Sequence, residues 1–171
     1  DADAMIVRTR TKCNRQLLEG TRVKCIATAT IGFDHIDTDF CRKNNIYWNN
    51  AAGCNSGAVA QYIAVALLKT AEKFGFNLKD MTIGIVGVGN VGKKVEKIAR
   101  LLGMKILCND PPRKELEQIA DFVSLSEILD KADIITLHVP LSQVGSHPTF
   151  HLANPVFFDA WKNKRLFLNT S

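Results

Sequence analysis

Met81-Thr-Ile-Gly-Ile-Val-Gly-Val-Gly-Asn-Val-Gly-Lys93 decides the fold. An apolar stretch runs into Gly87, Gly89 and Gly92, spaced G-x-G-x-x-G, and a helical pattern follows from Asn90 to about Leu102. Next comes a second apolar run, Met104 to Cys108, and Asp110 stands at its end, 23 positions past Gly87. Strand, tight turn, helix, strand and acid, in that order, are the setting in which such glycines bind a dinucleotide. Gly87 permits the sharp turn, Gly89 lets the backbone approach a pyrophosphate, and Gly92 lets helix and strand pack closely. Asn90 and Val91 bring main-chain amides and the positive end of the helix dipole to the phosphates. Asp110 can accept both ribose hydroxyls, which favours NAD over NADP. A tight turn in a cofactor-free sheet would also use such glycines. A methyltransferase-like nucleotide site suits the spacing and the acid less well.

Working outward, composition narrows the class. The 171 residues are 46% hydrophobic, enough for one good core or two small ones. No apolar run reaches the 18 residues of a membrane span; the longest, around Ala58 to Leu68, is interrupted by Gln61. The start, Asp1-Ala-Asp-Ala, has no basic region, so no signal peptide is expected. Cys13, Cys25, Cys41, Cys54 and Cys108 are odd in number, scattered and without metal-ligand spacing, which reads as reduced cytoplasmic thiols. The four histidines carry no ligand pattern either, so no metal is expected. The net charge of +5 is modest. Lys93, Lys94 and Lys97, and Lys162, Lys164 and Arg165, read as solvated faces rather than a nucleic-acid surface, and the basic balance suits small anionic ligands.

Two units are expected. In the first, short strands at Ala4–Arg8, Val23–Ala27 and Ile46–Trp48 alternate with helices at Asn14–Leu18 and from the cap Asp37 to Lys43. A long helix, Ser56 to Phe74, is apolar over much of its circumference, which suits either an interface or an ordinary core. The second unit reads strand 81–87, helix 90–102, strand 104–108, helix 114–119, a small strand 122–124, helix 126–130 capped by Ser126, strand 133–138 and strand 166–171. The fold class is α/β: a Rossmann-type doubly wound parallel sheet, incomplete at its C-terminal half, plus part of a flavodoxin-like substrate domain. Residues 1–75, with the long linking helix, form the partial substrate domain, and 76–171 the N-terminal half of the NAD-binding domain.

These residues resemble the NAD-dependent D-isomer-specific 2-hydroxyacid dehydrogenases. The resemblance rests on Asp80 to Asp110 with Cys108-Asn-Asp-Pro-Pro-Arg113, on Val7-Arg-Thr-Arg-Thr-Lys12 and on Thr28-Ala-Thr-Ile-Gly-Phe-Asp-His35. It extends through Ala52-Gly-Cys-Asn-Ser56, Asp133-Ile-Ile-Thr-Leu-His-Val-Pro-Leu141, Thr149-Phe-His-Leu152 and Leu168-Asn-Thr-Ser171. The Ala-Gly-Cys-Asn and Asp-Pro-Pro-Arg runs narrow it to members acting on a phosphosugar acid. The resemblance implies oxidation of a hydroxyl next to a carboxylate, with NAD as cofactor and a homodimer as the full-length assembly.

The resemblance also implies site residues. Thr9 and Thr30 would bind substrate, with Arg8 and Arg10 able to add charge. His138 and Val139 would contact the cofactor, Val139 standing where relatives often carry Thr. The Arg, Glu and His that perform the chemistry are expected beyond Ser171, so this chain alone is expected to be inactive and to be part of a longer one. His35 is expected to hold a helix start or pack against Asp37, and His147 and His151 to be solvated or locally bonded. Two alternatives stand beside this reading: another member of the family, such as a phosphoglycerate dehydrogenase, and a non-catalytic NAD-sensing or interaction module on the same scaffold.

Overall fold

The computed structural model describes residues 2–118 and 121–171. The chain divides into two compact units, one ending at Cys54 and one spanning Asn55–Ser171.

The first unit is a three-stranded parallel sheet of β1 (Ala4–Val7), β2 (Cys25–Thr28) and β3 (Tyr47–Asn50), in that order. Helices α1 (Arg15–Leu18) and α2 (Thr38–Lys43) connect the strands, capped by Asn14 and Asp37 through Leu17 N and Phe40 N. The second and third strands begin later than the apolar runs do. Val23 and Ile46 are buried without belonging to the ladder, because an apolar run marks burial rather than backbone pairing. They close a small core with Val7, Leu18, Ile26 and Ile36.

The second unit is built around a parallel sheet in the order β5-β4-β6-β7. Its strands are β4 (Thr82–Val86), β5 (Lys105–Asn109), β6 (Ile134–Leu137) and β7 (Leu166–Asn169). Side chains alternate across β4. Ile83 and Ile85 enter a core with Ile63 and Leu67 of α3 (Ser56–Phe74) and Val95 and Ala99 of α4 (Gly92–Leu101). Val86 enters a second core with Ile128 of α6 (Leu125–Lys131) and Phe157 of α7 (Pro155–Ala160), together with Ile135 and Trp161. A sheet with helices on both faces is the doubly wound arrangement.

Several expectations differ from what forms. The long helix has the expected limits, but its buried residues belong to the second unit's core, so contacts divide the chain at 54/55 rather than at 75/76. Helix α5 spans Pro111–Glu117 instead of 114–119, because Asp110 caps it and two prolines fill its first turn; Ile119 lies outside the described residues. Residues 122–124 form no strand: Val123 N donates to Cys108 O at 2.9 Å, but no ladder follows. Ser124, not Ser126, caps α6, accepting from Glu127 N at 3.1 Å. Helix α7 has no counterpart in the expected elements; Asn154 caps it and Pro155 opens it.

Candidate functional site

Strands β4 and β6 are neighbours whose connections lead to opposite sides of the sheet, and crevices at such switch points bind ligands beyond the strands' carboxyl ends. A cavity of about 720 Å³ opens there. Gly87, Gly89, Asp110, His138, Val139 and Pro140 line it, along with part of the segment 142–152.

The turn after β4 is held from behind and open in front. Gly87 has φ +88°, and a Cβ on it would sit 2.6 Å from His138 O, so the position admits only glycine. Gly87 N donates to Asn109 O at 2.8 Å. A Cβ on Gly92 would run into the Gly87 carbonyl, the close helix–strand approach its place in the motif requires. A Cβ on Gly89 would meet no atom of the described residues within 4 Å, although Gly89 lines the cavity. The amides of Gly89, Asn90 and Val91 donate to no acceptor among the described residues. No side chain among the described residues caps the start of α4. Free amides, a helix start and room beside a glycine are what a pyrophosphate needs, so these residues fit a dinucleotide.

Asp110 does more than the sequence suggested. Its Oδ2 accepts from Val88 N at 2.8 Å, and its Oδ1 accepts from Arg113 N at 3.2 Å, capping α5. A carboxylate offers about four acceptor positions, so the ribose hydroxyls can still be received. Arg113 donates through Nη1 to Val88 O at 2.6 Å and grips Glu117 through Nε and Nη2 at 2.7 and 2.6 Å. That grip holds the Glu117 carboxyl below its ordinary pKa. The signal for the cap, an acid followed by two prolines, was in the sequence; Arg113 carried no visible role there.

His138 lies in the cavity wall with both ring nitrogens engaged. Nε2 is 3.0 Å from Thr136 Oγ1 and Nδ1 is 2.7 Å from Thr170 Oγ1. Burial lowers its pKa to about 4, so the ring is neutral at physiological pH. Val139 N donates to Ser171 Oγ at 3.2 Å, so Val139 presents its apolar side chain to the cavity while its amide is occupied. His147 Nε2 lies 2.7 Å from Glu115 Oε1, joining the cavity's loop to α5, and His151 stacks on Phe150 with ring centroids 3.9 Å apart. Burial pushes the Cys108 thiol up to about 11, which removes it as a nucleophile near neutral pH.

The expected substrate residues belong to the first unit. Thr9 is exposed. Thr30 ends a hydrogen-bond relay. Its Oγ1 donates to Gly32 O at 2.8 Å, Thr28 Oγ1 lies 2.6 Å from it, and His35 Nε2 lies 2.9 Å from Thr28 Oγ1. With Thr30's proton on Gly32, Thr28 donates to Thr30 and His35 donates to Thr28. His35 therefore carries its proton on Nε2, and its buried Nδ1 has no partner among the described residues. The polar partner of His35 is Thr28, while Asp37 caps α2 through its Oδ1. Thr30 can accept a hydrogen bond from a ligand as it stands, but must turn its hydroxyl to donate one.

A sequence profile of the D-isomer specific 2-hydroxyacid dehydrogenase NAD-binding domain matches residues 58–171. The chain is 56% identical over 171 residues to an erythronate-4-phosphate dehydrogenase of Bacteroides fragilis, covering all of this chain and 49% of that protein. It is 54% identical, with the same coverage, to the enzyme of that name from Bacteroides thetaiotaomicron. Among solved structures, D-lactate dehydrogenase from Aquifex aeolicus complexed with NAD and lactic acid superposes with a TM-score of 0.73 at 27% identity. That match covers 99% of this chain and 56% of the other. The chain thus spans about half the length of the curated relatives it matches.

Proposed function

The chain belongs to the D-isomer specific 2-hydroxyacid dehydrogenase family, whose NAD-binding domain it carries; from that premise we propose that the protein containing it oxidises 4-phospho-D-erythronate at the 2-hydroxyl to the 2-oxo acid. The observation that carries the substrate is the 56% identity, over every residue of this chain, to a protein named for that reaction. Bound NAD supplies the hydride acceptor.

The chain's own residues do the holding. The amides of Gly89, Asn90 and Val91 receive the pyrophosphate, and Asp110 receives the adenosine ribose. His138, neutral and tied to two threonines, serves as a wall rather than a base. A base near neutral pH needs a pKa near the operating pH and a free nitrogen within reach of the substrate hydroxyl. We assign proton transfer and the carboxylate clamp to the remaining half of the protein, since this chain spans about half the length of the curated relatives it matches. Thr9 and Thr30 are the substrate contacts we assign here, supported by Thr30's place in the relay.

The same reading places the reaction in the cytoplasm, in the synthesis of pyridoxal phosphate, by a homodimer. Five free cysteines fit a reducing compartment, and no helix among the described residues is long and apolar enough to cross a membrane. The test is steady-state formation of NADH by the full-length protein with 4-phospho-D-erythronate and, separately, 3-phospho-D-glycerate. The reading expects turnover with the first at a kcat/KM at least about a hundredfold above the second. Preference for 3-phosphoglycerate would move the protein to another branch of the family, and NADH binding without turnover of any 2-hydroxy acid would make it a sensing module.

A further inference from the structure

The β5–α5 segment carries two contradictory signals. Asp110 stands where an acid receives a ribose 2′-hydroxyl, which means NAD. Arg113, three residues on, is a nearby arginine of the kind that receives a 2′-phosphate, which means NADP. The contacts resolve the conflict. Three donors of the Arg113 guanidinium are committed: Nη1 to Val88 O, Nε and Nη2 to the two oxygens of Glu117. Paired side by side with a carboxylate, the fork of the guanidinium is not open to a phosphate.

The bond to Val88 has its own consequence. Asp110 holds the Val88 N–H and Arg113 holds the Val88 carbonyl, so both sides of the residue between Gly87 and Gly89 are gripped from α5. The Val88 carbonyl and the Gly89 N–H belong to one planar trans peptide and point in opposite directions. Fixing the carbonyl on Arg113 therefore aims the Gly89 N–H away from α5's arginine. That N–H has no acceptor among the described residues, and Gly89 lines the cavity.

We propose that Arg113 is a positioning residue for the pyrophosphate turn, and that Glu117, by holding the Arg113 guanidinium, sets the preference for NAD over NADP. The inference rests on the reading of the cavity as the dinucleotide site. Arg113 anchors the peptide whose amide meets the phosphate. Glu117 keeps that arginine's charge engaged beside the ribose acid. The Phe122 ring, 5.3 Å from the Arg113 Cζ, supports the guanidinium from another side.

The test is calorimetric titration of NADH and NADPH into the full-length protein and its variants, with thermal midpoints measured alongside. Glu117→Ala should raise NADPH affinity by about tenfold while NADH changes less than about twofold, since a freed guanidinium gains a phosphate partner only in NADPH. The gain should vanish in the Glu117→Ala/Arg113→Met double variant. Arg113→Met alone should weaken NADH about tenfold, and Arg113→Lys should recover part of that loss, because lysine can still donate to the Val88 carbonyl. An NADPH/NADH ratio that Glu117→Ala leaves unmoved, or a gain that persists without Arg113, overturns the inference while leaving the cofactor site intact. A folded wild-type protein that binds neither dinucleotide overturns the cofactor reading and the inference with it. If Arg113→Met does not fold, the Glu117→Ala ratio decides alone.

Discussion

His138 and Thr170, each just past the end of its strand, β6 and β7, are joined by a 2.7 Å hydrogen bond between Nδ1 and Oγ1, across 32 residues of sequence. The bond closes the carboxyl edge of the sheet beside the cavity, and burial of the ring is what keeps it neutral. Its pKa of about 4 lies below the ordinary 6.5, so the unfolded chain binds the proton first as pH falls. The stability this ring contributes is complete above pH 6.5 and is lost as pH falls through 4. We expect a loss on the order of 2–3 kcal/mol between pH 7 and pH 4 from this residue alone. Urea unfolding of wild type and His138→Gln at both pH values isolates it, since the carboxylates titrate in both proteins. Equal pH dependence in the two proteins would show that the ring is not protected.

The two glycines of the turn should separate folding from binding. Gly87→Ala places a Cβ 2.6 Å from His138 O at a positive φ, and should cost about 2–4 kcal/mol of stability. Gly89→Ala meets no atom of the described residues within 4 Å. It should keep its thermal midpoint within about 2 °C of wild type and yet lose at least about tenfold in NADH affinity, because its methyl group intrudes on the pyrophosphate. Thermal scans paired with NADH titration check both. A Gly89→Ala variant that binds NADH like wild type would remove the turn from the site.

The motif glycines and the α3 helix were legible because each is local. Nineteen residues of helical pattern fix a helix, and a strand–turn–helix sequence fixes a tight glycine turn. What escaped was non-local or doubly used. Nothing near His138 announces Thr170 as its partner. Asp110 looked like a ribose acid and is also the cap of α5 and a tether for Val88. Helix α7 has only six residues, and its aromatic side chains hide its period; its anchors, Trp161 with Nε1 on Ala132 O and Phe157 against Phe167, exist only once α6 and β7 are in place. The segment 122–124 has strand composition, but it gains one bond to Cys108 and no ladder, so composition overstated it.

Tyr62, Val65 and Leu68 share one side of α3 and are 63, 58 and 50% exposed, more apolar surface than a solvated helix face usually shows. As part of the proposed homodimer, that face should lie at the interface. Sedimentation of the full-length protein at micromolar concentration is expected to give a dimer, and Val65→Glu/Leu68→Glu should shift it to monomer. A wild-type monomer, or a double variant that remains fully dimeric, would reject the assignment.

The cavity beside Gly89 and Asp110 is expected to hold NAD by its pyrophosphate and adenosine ribose. The most direct measurement is calorimetric titration of NADH and NADPH into the full-length protein and into Asp110→Ala. Asp110 should repel a 2′-phosphate at close range, so NADH should bind wild type at least about tenfold more tightly than NADPH. Asp110→Ala should weaken NADH, lose about 1 kcal/mol of helix capping, and bring the two affinities to within about threefold of each other. NADPH binding wild type as tightly as NADH, or an Asp110→Ala variant with the wild-type preference intact, would show that Asp110 does not hold the adenosine ribose.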